Sequence, residues 1–166
     1  RTFQNIRLFP NLTVLENVMI GRHCRTRAKV LGAIFRNPAT KREEQEIVHF
    51  SYGLIDKIGL TDQVNEFAKN LSYGAQRRLE IARALATDPT ILLLDEPAAG
   101  MNPRETQELD ELICQIRDEG LSILLIEHDM KLVMSLSDHI FVMESGKKIA
   151  EGTPEEIRQN PDVIKA

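Results

Sequence analysis

Residues 71–97, LSYGAQRRLEIARALATDPTILLLDEP, decide the reading of this chain. They place a small-residue turn at a helix start, then a helical run, then an apolar strand that ends in two carboxylates. Ser72 is a good N-cap, because its hydroxyl can accept from a backbone N–H that the first turn leaves free. Tyr73, Gly74 and Ala75 keep the turn compact enough for a phosphate to approach backbone donors at the positive helix end. Leu79, Ala82, Leu85 and Ala86 recur at helical spacing, while Arg77, Arg78 and Arg83 fall mostly elsewhere. Asp88-Pro89 stops the helix. Alone, a Ser-x-Gly cap is most often structural; the strand that follows gives it chemical weight.

Ile91 to Leu94 is a continuous apolar run, expected of a parallel strand covered on both faces. Ligands of open α/β sheets sit beyond the carboxyl ends of strands, where Asp95-Glu96 falls. A hard divalent cation prefers carboxylate oxygens, with waters and substrate phosphates completing its shell, so Asp95 suits a Mg²⁺ ligand. Glu96, one residue on, is suited to polarise a water attacking a terminal phosphate. An acidic pair at a strand end is by itself unremarkable; after the Ser72 turn it implies a protein that handles nucleoside triphosphate and Mg²⁺. No G-x-x-x-x-G-K-[ST] phosphate loop occurs in these 166 residues.

The signature-like and Walker-B-like segments resemble those of the ATP-binding cassette (ABC) ATPases, and three further pieces fall where that resemblance requires them. Gln4, in RTFQNIRLF, matches the Q-loop glutamine, which in the family contacts Mg²⁺ and couples nucleotide state to the membrane partner. Residues 98–103, AAGMNP, match the D-loop, with Gly-Met-Asn where many members read Ala-Leu-Asp. The same residues also read as a helix start: Asn102 as N-cap, Pro103 at the first helical position and Glu105 closing a capping box. His128, after the apolar strand Ile123–Ile126 and Glu127, matches the switch histidine that touches the γ-phosphate. The signature reads LSYGAQ rather than LSGGQ, with Tyr73 in place of the first glycine.

The resemblance covers essentially the whole chain and narrows to the branched-chain amino-acid importer subgroup. The long insertion between Ile20 and Ile47, DEPAAGMNP, the segment from Leu124 to Ile157 and the ending NPDVIKA carry it. It implies an α/β fold: an incomplete P-loop NTPase (ABC-ATPase) core with a parallel sheet, plus a mainly helical signature subdomain. The implied divisions are 1–11 (Q-loop strand and loop), 12–88 (signature subdomain) and 89–166 (the C-terminal part of the core). It also implies ATP and Mg²⁺ as ligands, with Asp95 and Gln4 at the metal and Glu96, His128 and Gln4 in catalysis. Ser72, Tyr73, Gly74, Ala75, Gln76 and Asn102 would face nucleotide. The implied partners are a second ATP-binding subunit, membrane permease subunits and, indirectly, a solute-binding protein, at the cytoplasmic face of a bacterial inner membrane. Without the phosphate loop and its lysine, the chain alone is expected to be inactive although its parent hydrolyses ATP. The alternatives are a lipopolysaccharide-export-type ATPase and a non-transport or non-catalytic module of the same superfamily.

Composition agrees. A net charge of −4 gives no reason to expect nucleic-acid binding. Cys24 and Cys114 lack CxxC spacing and read as free thiols. No apolar run approaches a bilayer span. Along the chain, Thr13 and Glu16 form a capping box before Val18 and Ile20. Asn37-Pro38 breaks the chain, and Lys41 to Leu60 reads as a helix through Ile47, Phe50, Leu54 and Ile58. Leu109, Leu112, Ile113 and Ile116 make a helical stripe. Ser122–Ile126 is the next buried strand, Leu132 to Leu136 a short helix, and Ile140–Met143 with Lys148–Ala150 a hairpin. Thr153-Pro154-Glu155-Glu156 caps a last short helix.

Overall fold

The computed structural model describes residues 7–25 and 38–165. They fall into two compact units, one up to Ile126 and one from Glu127 onward. The first contains α1 (Val14–Arg22), α2 (Pro38–Lys57), α3 (Tyr73–Leu85), β1 (Ile91–Asp95), α4 (Pro103–Asp118) and β2 (Ser122–Ile126).

Helix α1 begins at the capping box read from the sequence. Glu16 N donates to Thr13 Oγ1 at 3.2 Å, and Thr13 N donates to Glu16 Oε2 at 2.8 Å. The buried face of α1, with Val14 and Val18, packs on α2 and α3. Asn17 is fully buried on that face and satisfied: its amide donates to Phe9 O, Leu12 O and Thr13 O, and its Oδ1 accepts from Phe9 N. It thereby fixes the turn that leads into α1. Gly21 lets α1 approach α3, since a Cβ there would lie 2.3 Å from Arg83 O.

The cap gives a test. Hydrogen bonds from the Thr13 amide and then its hydroxyl hold the Glu16 carboxyl below its ordinary 4.5. A depressed carboxyl stabilises the folded state above its unfolded pKa and loses that contribution as pH falls through the folded value. Loss of the Thr13 side-chain cap in Thr13→Ala should cost about 1 kcal/mol in urea unfolding at neutral pH. In the same variant the Glu16 titration, followed by NMR, should rise only part of the way to its ordinary value, because the Thr13 N–H, the larger cause, is kept.

Helix α2 is described from Pro38 onward; Asn37, the other half of the expected break, lies outside the described residues. The buried face of α2 is Ser51, Leu54 and Ile55, and Ile58 just past its end is buried as well. The face is rotated from the expected stripe: Phe50 stays partly exposed, with the Arg22 guanidinium 4.2 Å from its ring centroid. Gly59 (φ +66) ends the helix in the left-handed region.

Strands β1 and β2 are parallel, in register from Ile91↔Ser122 to Asp95↔Ile126. Their burial corrects the sequence expectation of strands covered on both faces. Leu92 and Leu94 are buried, whereas Ile91, Leu124 and Ile126 are exposed. Apolar composition shows what a strand tolerates; within a two-stranded ribbon the pleat sends alternate residues to opposite faces, and here one face of β1 is covered. In α4 the stripe Leu109, Leu112, Ile113 and Ile116 is buried as expected.

The second unit contains α5 (Met130–Leu136), the antiparallel hairpin β3 (Ile140–Glu144) and β4 (Lys147–Gly152), α6 (Pro154–Gln159) and α7 (Pro161–Lys165). Ser145 (φ +47) and Gly146 (φ +78) make the two-residue turn, both left-handed as such hairpins require. Ile140, Ala150 and Ile157 form its core, flanked by Val133, Met134, Val142 and Val163. Thr153 and Glu156 close the expected capping box. Helix α7, which the sequence reading did not anticipate, is capped by Asn160, whose Oδ1 accepts from Asp162 N at 2.9 Å. Among the described residues no helix is long and apolar enough to cross a membrane.

Candidate nucleotide site

The 71–76 turn forms as its sequence dictates. Ser72 sits in extended backbone (φ −59, ψ 159), and its hydroxyl accepts from Ala75 N at 3.2 Å. Gln76 donates its side-chain amide back to Leu71 O at 3.0 Å, which ties the turn to the chain before it. Gly74 is buried, and its N–H donates to Glu105 Oε1 at 3.3 Å. Tyr73 is 41% exposed, and its hydroxyl accepts from Arg77 Nη2 at 3.1 Å.

Arg77 was expected off the buried stripe, and the structure overturns this. It is 2% exposed and paired with Glu80, itself 3% exposed, at 3.3 Å. An arginine tolerates such a position when a carboxylate one turn along compensates its charge. Glu80 Oε1 also accepts from Arg7 N at 3.4 Å, linking α3 to the segment that follows Gln4 in sequence. Gln4 itself lies outside the described residues. Burial pushes the Arg83 guanidinium below its ordinary value, against the pull of the Glu80 charge.

Asn102 caps α4. Its Oδ1 accepts from Arg104 N and Glu105 N at 3.1 and 3.0 Å, and Asn102 N donates to Glu105 Oε2 at 3.1 Å. The turn before it approaches the 71–76 turn at a second point. Gly100 (φ +79) lies so close to the Tyr73 ring that a Cβ would stand 3.5 Å from its Cε1. Ser72–Gln76 and Asn102 are thus brought together, through Glu105 and Tyr73.

Asp95 is the last residue of β1, opposite Ile126 of β2. Glu96 N donates to Ile126 O at 2.9 Å, extending the ladder by one bond, and Glu96 O accepts from Ala99 N at 3.2 Å. Glu96 has φ +44, a left-handed conformation that side chains other than glycine rarely adopt. Such strain costs about 1–3 kcal/mol and clusters at functional sites. It falls at the residue that directly follows the strand. No sequence signal announced this strain.

His128 belongs to the second unit, just before α5. Its N–H donates to Glu127 Oε2 at 3.3 Å, and Asp129 caps the helix by accepting from Lys131 N at 2.9 Å. Its imidazole is largely exposed. Among the described residues no three His, Cys, Asp or Glu side chains gather as a ready-made metal cage. One carboxylate at a strand end nonetheless fits Mg²⁺, which keeps several waters and takes further ligands from substrate phosphates.

A parallel strand pair with a carboxylate at the end of β1, preceded in sequence by the Ser72-capped helix, fits a nucleotide-binding cassette. The chain belongs to the ABC transporter family, whose sequence profile matches residues 1–99. A profile described as "Branched-chain amino acid ATP-binding cassette transporter" matches residues 147–166. It is 52% identical over 167 aligned residues to the high-affinity branched-chain amino acid transport ATP-binding protein BraF of Pseudomonas aeruginosa. It is 50% identical to the corresponding protein LivG of Escherichia coli. Each alignment takes in 100% of this chain and 66% of the relative, so the chain spans just under two thirds of their length. Among solved structures it resembles the ADP conformation of MJ1267, an ATP-binding cassette of an ABC transporter. That match has a TM-score of 0.79 at 31% identity and covers 99% of this chain and 66% of the other.

Proposed function

We propose that this chain is the larger part of an ATP-hydrolysing subunit that powers an ABC importer of branched-chain amino acids. The observation that carries the reading is the strained turn at Glu96, directly after a parallel strand that ends in Asp95. In this reading the carboxylate at the strand end would hold Mg²⁺, and the next one, at the strained turn, would face a water. The branched-chain profile over residues 147–166 and the likeness to BraF and LivG support the choice of solute.

In this reading residues 12–88 form the signature subdomain, and 1–11 and 89–166 belong to the ATPase core. Ser72 and Gly74, with Tyr73, Ala75 and Gln76 shaping the turn, present an uncharged donor end to the γ-phosphate held by a second ATP-binding subunit. Asp95 and Gln4 would hold Mg²⁺, which would neutralise charge on the phosphates of the nucleotide. Glu96 takes a proton from the attacking water, His128 orients the γ-phosphate, and Asn102 fixes the turn between the two subunits. The subunit sits peripherally at the cytoplasmic face, against permease subunits, and nucleic acid has no part.

The test is reconstitution of the intact subunit with its permease in vesicles. ATP hydrolysis should rise when a branched-chain amino acid and its binding protein are supplied. Turnover that is indifferent to leucine, isoleucine and valine but rises with another solute would overturn the choice of cargo. No hydrolysis by the intact assembly would overturn the enzyme.

A further inference from the structure

We propose that Glu105 is a positioning residue: its carboxylate holds the Gly74 N–H as a stand-in for phosphate and lets go when nucleotide arrives. The proposal rests on the functional reading above, in which Gly74 faces a γ-phosphate. Glu105 spends its two oxygens on two different turns. Oε2 accepts from Asn102 N at 3.1 Å within its own helix cap, and Oε1 accepts from Gly74 N at 3.3 Å across to α3. The cross-bond is the longer and so the weaker of the two.

The carboxylate also fills space. A Cβ on Gly74 would lie 2.7 Å from both Cδ and Oε1 of Glu105, so this side chain occupies the volume directly against the glycine. A negative group is favourable there because the first turn of α3 is the positive end of the helix dipole. A phosphate is attracted by the same donors and the same dipole. Two anions cannot share them without repulsion, so binding of one releases the other.

Release is also transmitted. Glu105 stays rooted on α4 and bonded to Asn102, in the turn whose Gly100 lies against the Tyr73 ring. One turn further along, Arg78 and Glu108 pair at 3.3 Å and keep α3 and α4 together while the ends rearrange. Glu105 therefore couples occupancy of the Gly74 end to the 98–103 turn, and in the resting state it competes with the ligand.

The sign of the effect separates this role from a merely structural one. In the intact assembly carrying Glu96→Gln, so that no ATP is turned over, the readout is the ATP concentration that half-saturates nucleotide retention. Adding Glu105→Gln, which keeps shape but loses charge, should lower that concentration about two- to fivefold, the scale of one charge at a helix end. The shift should shrink as salt is raised. Glu105→Ala should move it in the same direction, and Glu105→Asp, still charged but too short to span both turns, should move it less than Glu105→Gln does. A structural support would do the reverse, since its loss loosens the site and raises the requirement. Unchanged or raised half-saturation in Glu105→Gln, with retention intact, overturns the role of Glu105 alone. No ATP retention in the Glu96→Gln parent overturns the functional reading and takes this proposal with it.

Discussion

Replacing Glu96 by glutamine in the intact, partnered protein should abolish steady-state ATP hydrolysis while leaving ATP bound. The amide keeps the length and one acceptor of the carboxylate, and the backbone bond from Glu96 N to Ile126 O is untouched. What it cannot do is take a proton from water. Loss of a general base lowers the rate by about 10²–10⁴-fold. The closed, nucleotide-filled state should therefore accumulate, visible as ATP that survives gel filtration. Asp95→Asn should behave differently, because weakening the Mg²⁺ ligand lowers retention as well as turnover. His128→Ala should slow turnover through poorer positioning, with the base still present. Hydrolysis by Glu96→Gln within a few-fold of the unsubstituted protein would show that the base lies elsewhere.

The parts of the fold that rest on short-range chemistry were legible in the sequence. Three helix starts, at Thr13, Asn102 and Thr153, carry a capping residue with a glutamate three positions on, and all three boxes form. The reason is physical: both partners lie within one turn, so nothing distant decides whether they meet. The order of capped turn, helix, apolar strand and paired carboxylates is equally local, and it points to the family by itself.

What was not legible depends on residues far apart in the chain. Whether Ile91, Leu124 and Ile126 are covered is decided by packing, and their apolar nature does not reveal it. Phe50 fits a helical stripe by spacing, yet the buried face is set by where α1 and α3 press, and Phe50 lies at its margin beneath Arg22. The second bond of Glu105 spans 31 positions, so its first role in the cap concealed the other. A glutamate at the third position of a helix, facing a glycine that tolerates no side chain, is the signal to look for. Glu96 gave no signal, since strain at a non-glycine residue leaves no mark on residue type.

The buried pair in α3 yields the largest expected change in stability. Arg77 donates to Glu80 at 3.3 Å and to the Tyr73 hydroxyl at 3.1 Å, with almost none of either charged side chain in contact with solvent. Arg77→Ala removes the counter-charge and leaves the Glu80 carboxylate in place beside a new void. Breaking one side of a buried pair costs about 3–5 kcal/mol, against a total folding stability of only about 5–15 kcal/mol. The variant should accordingly unfold at much lower urea concentration with an unchanged slope, or accumulate poorly in cells. The double variant Arg77→Met/Glu80→Leu should recover most of the loss, because no charge is then left buried, although the Arg7 N–H gives up its acceptor. Such a recovery would place the cost in the carboxylate that has lost its arginine, rather than in lost packing. A double variant as unstable as Arg77→Ala, within about 0.5 kcal/mol, would place that cost in the packing instead.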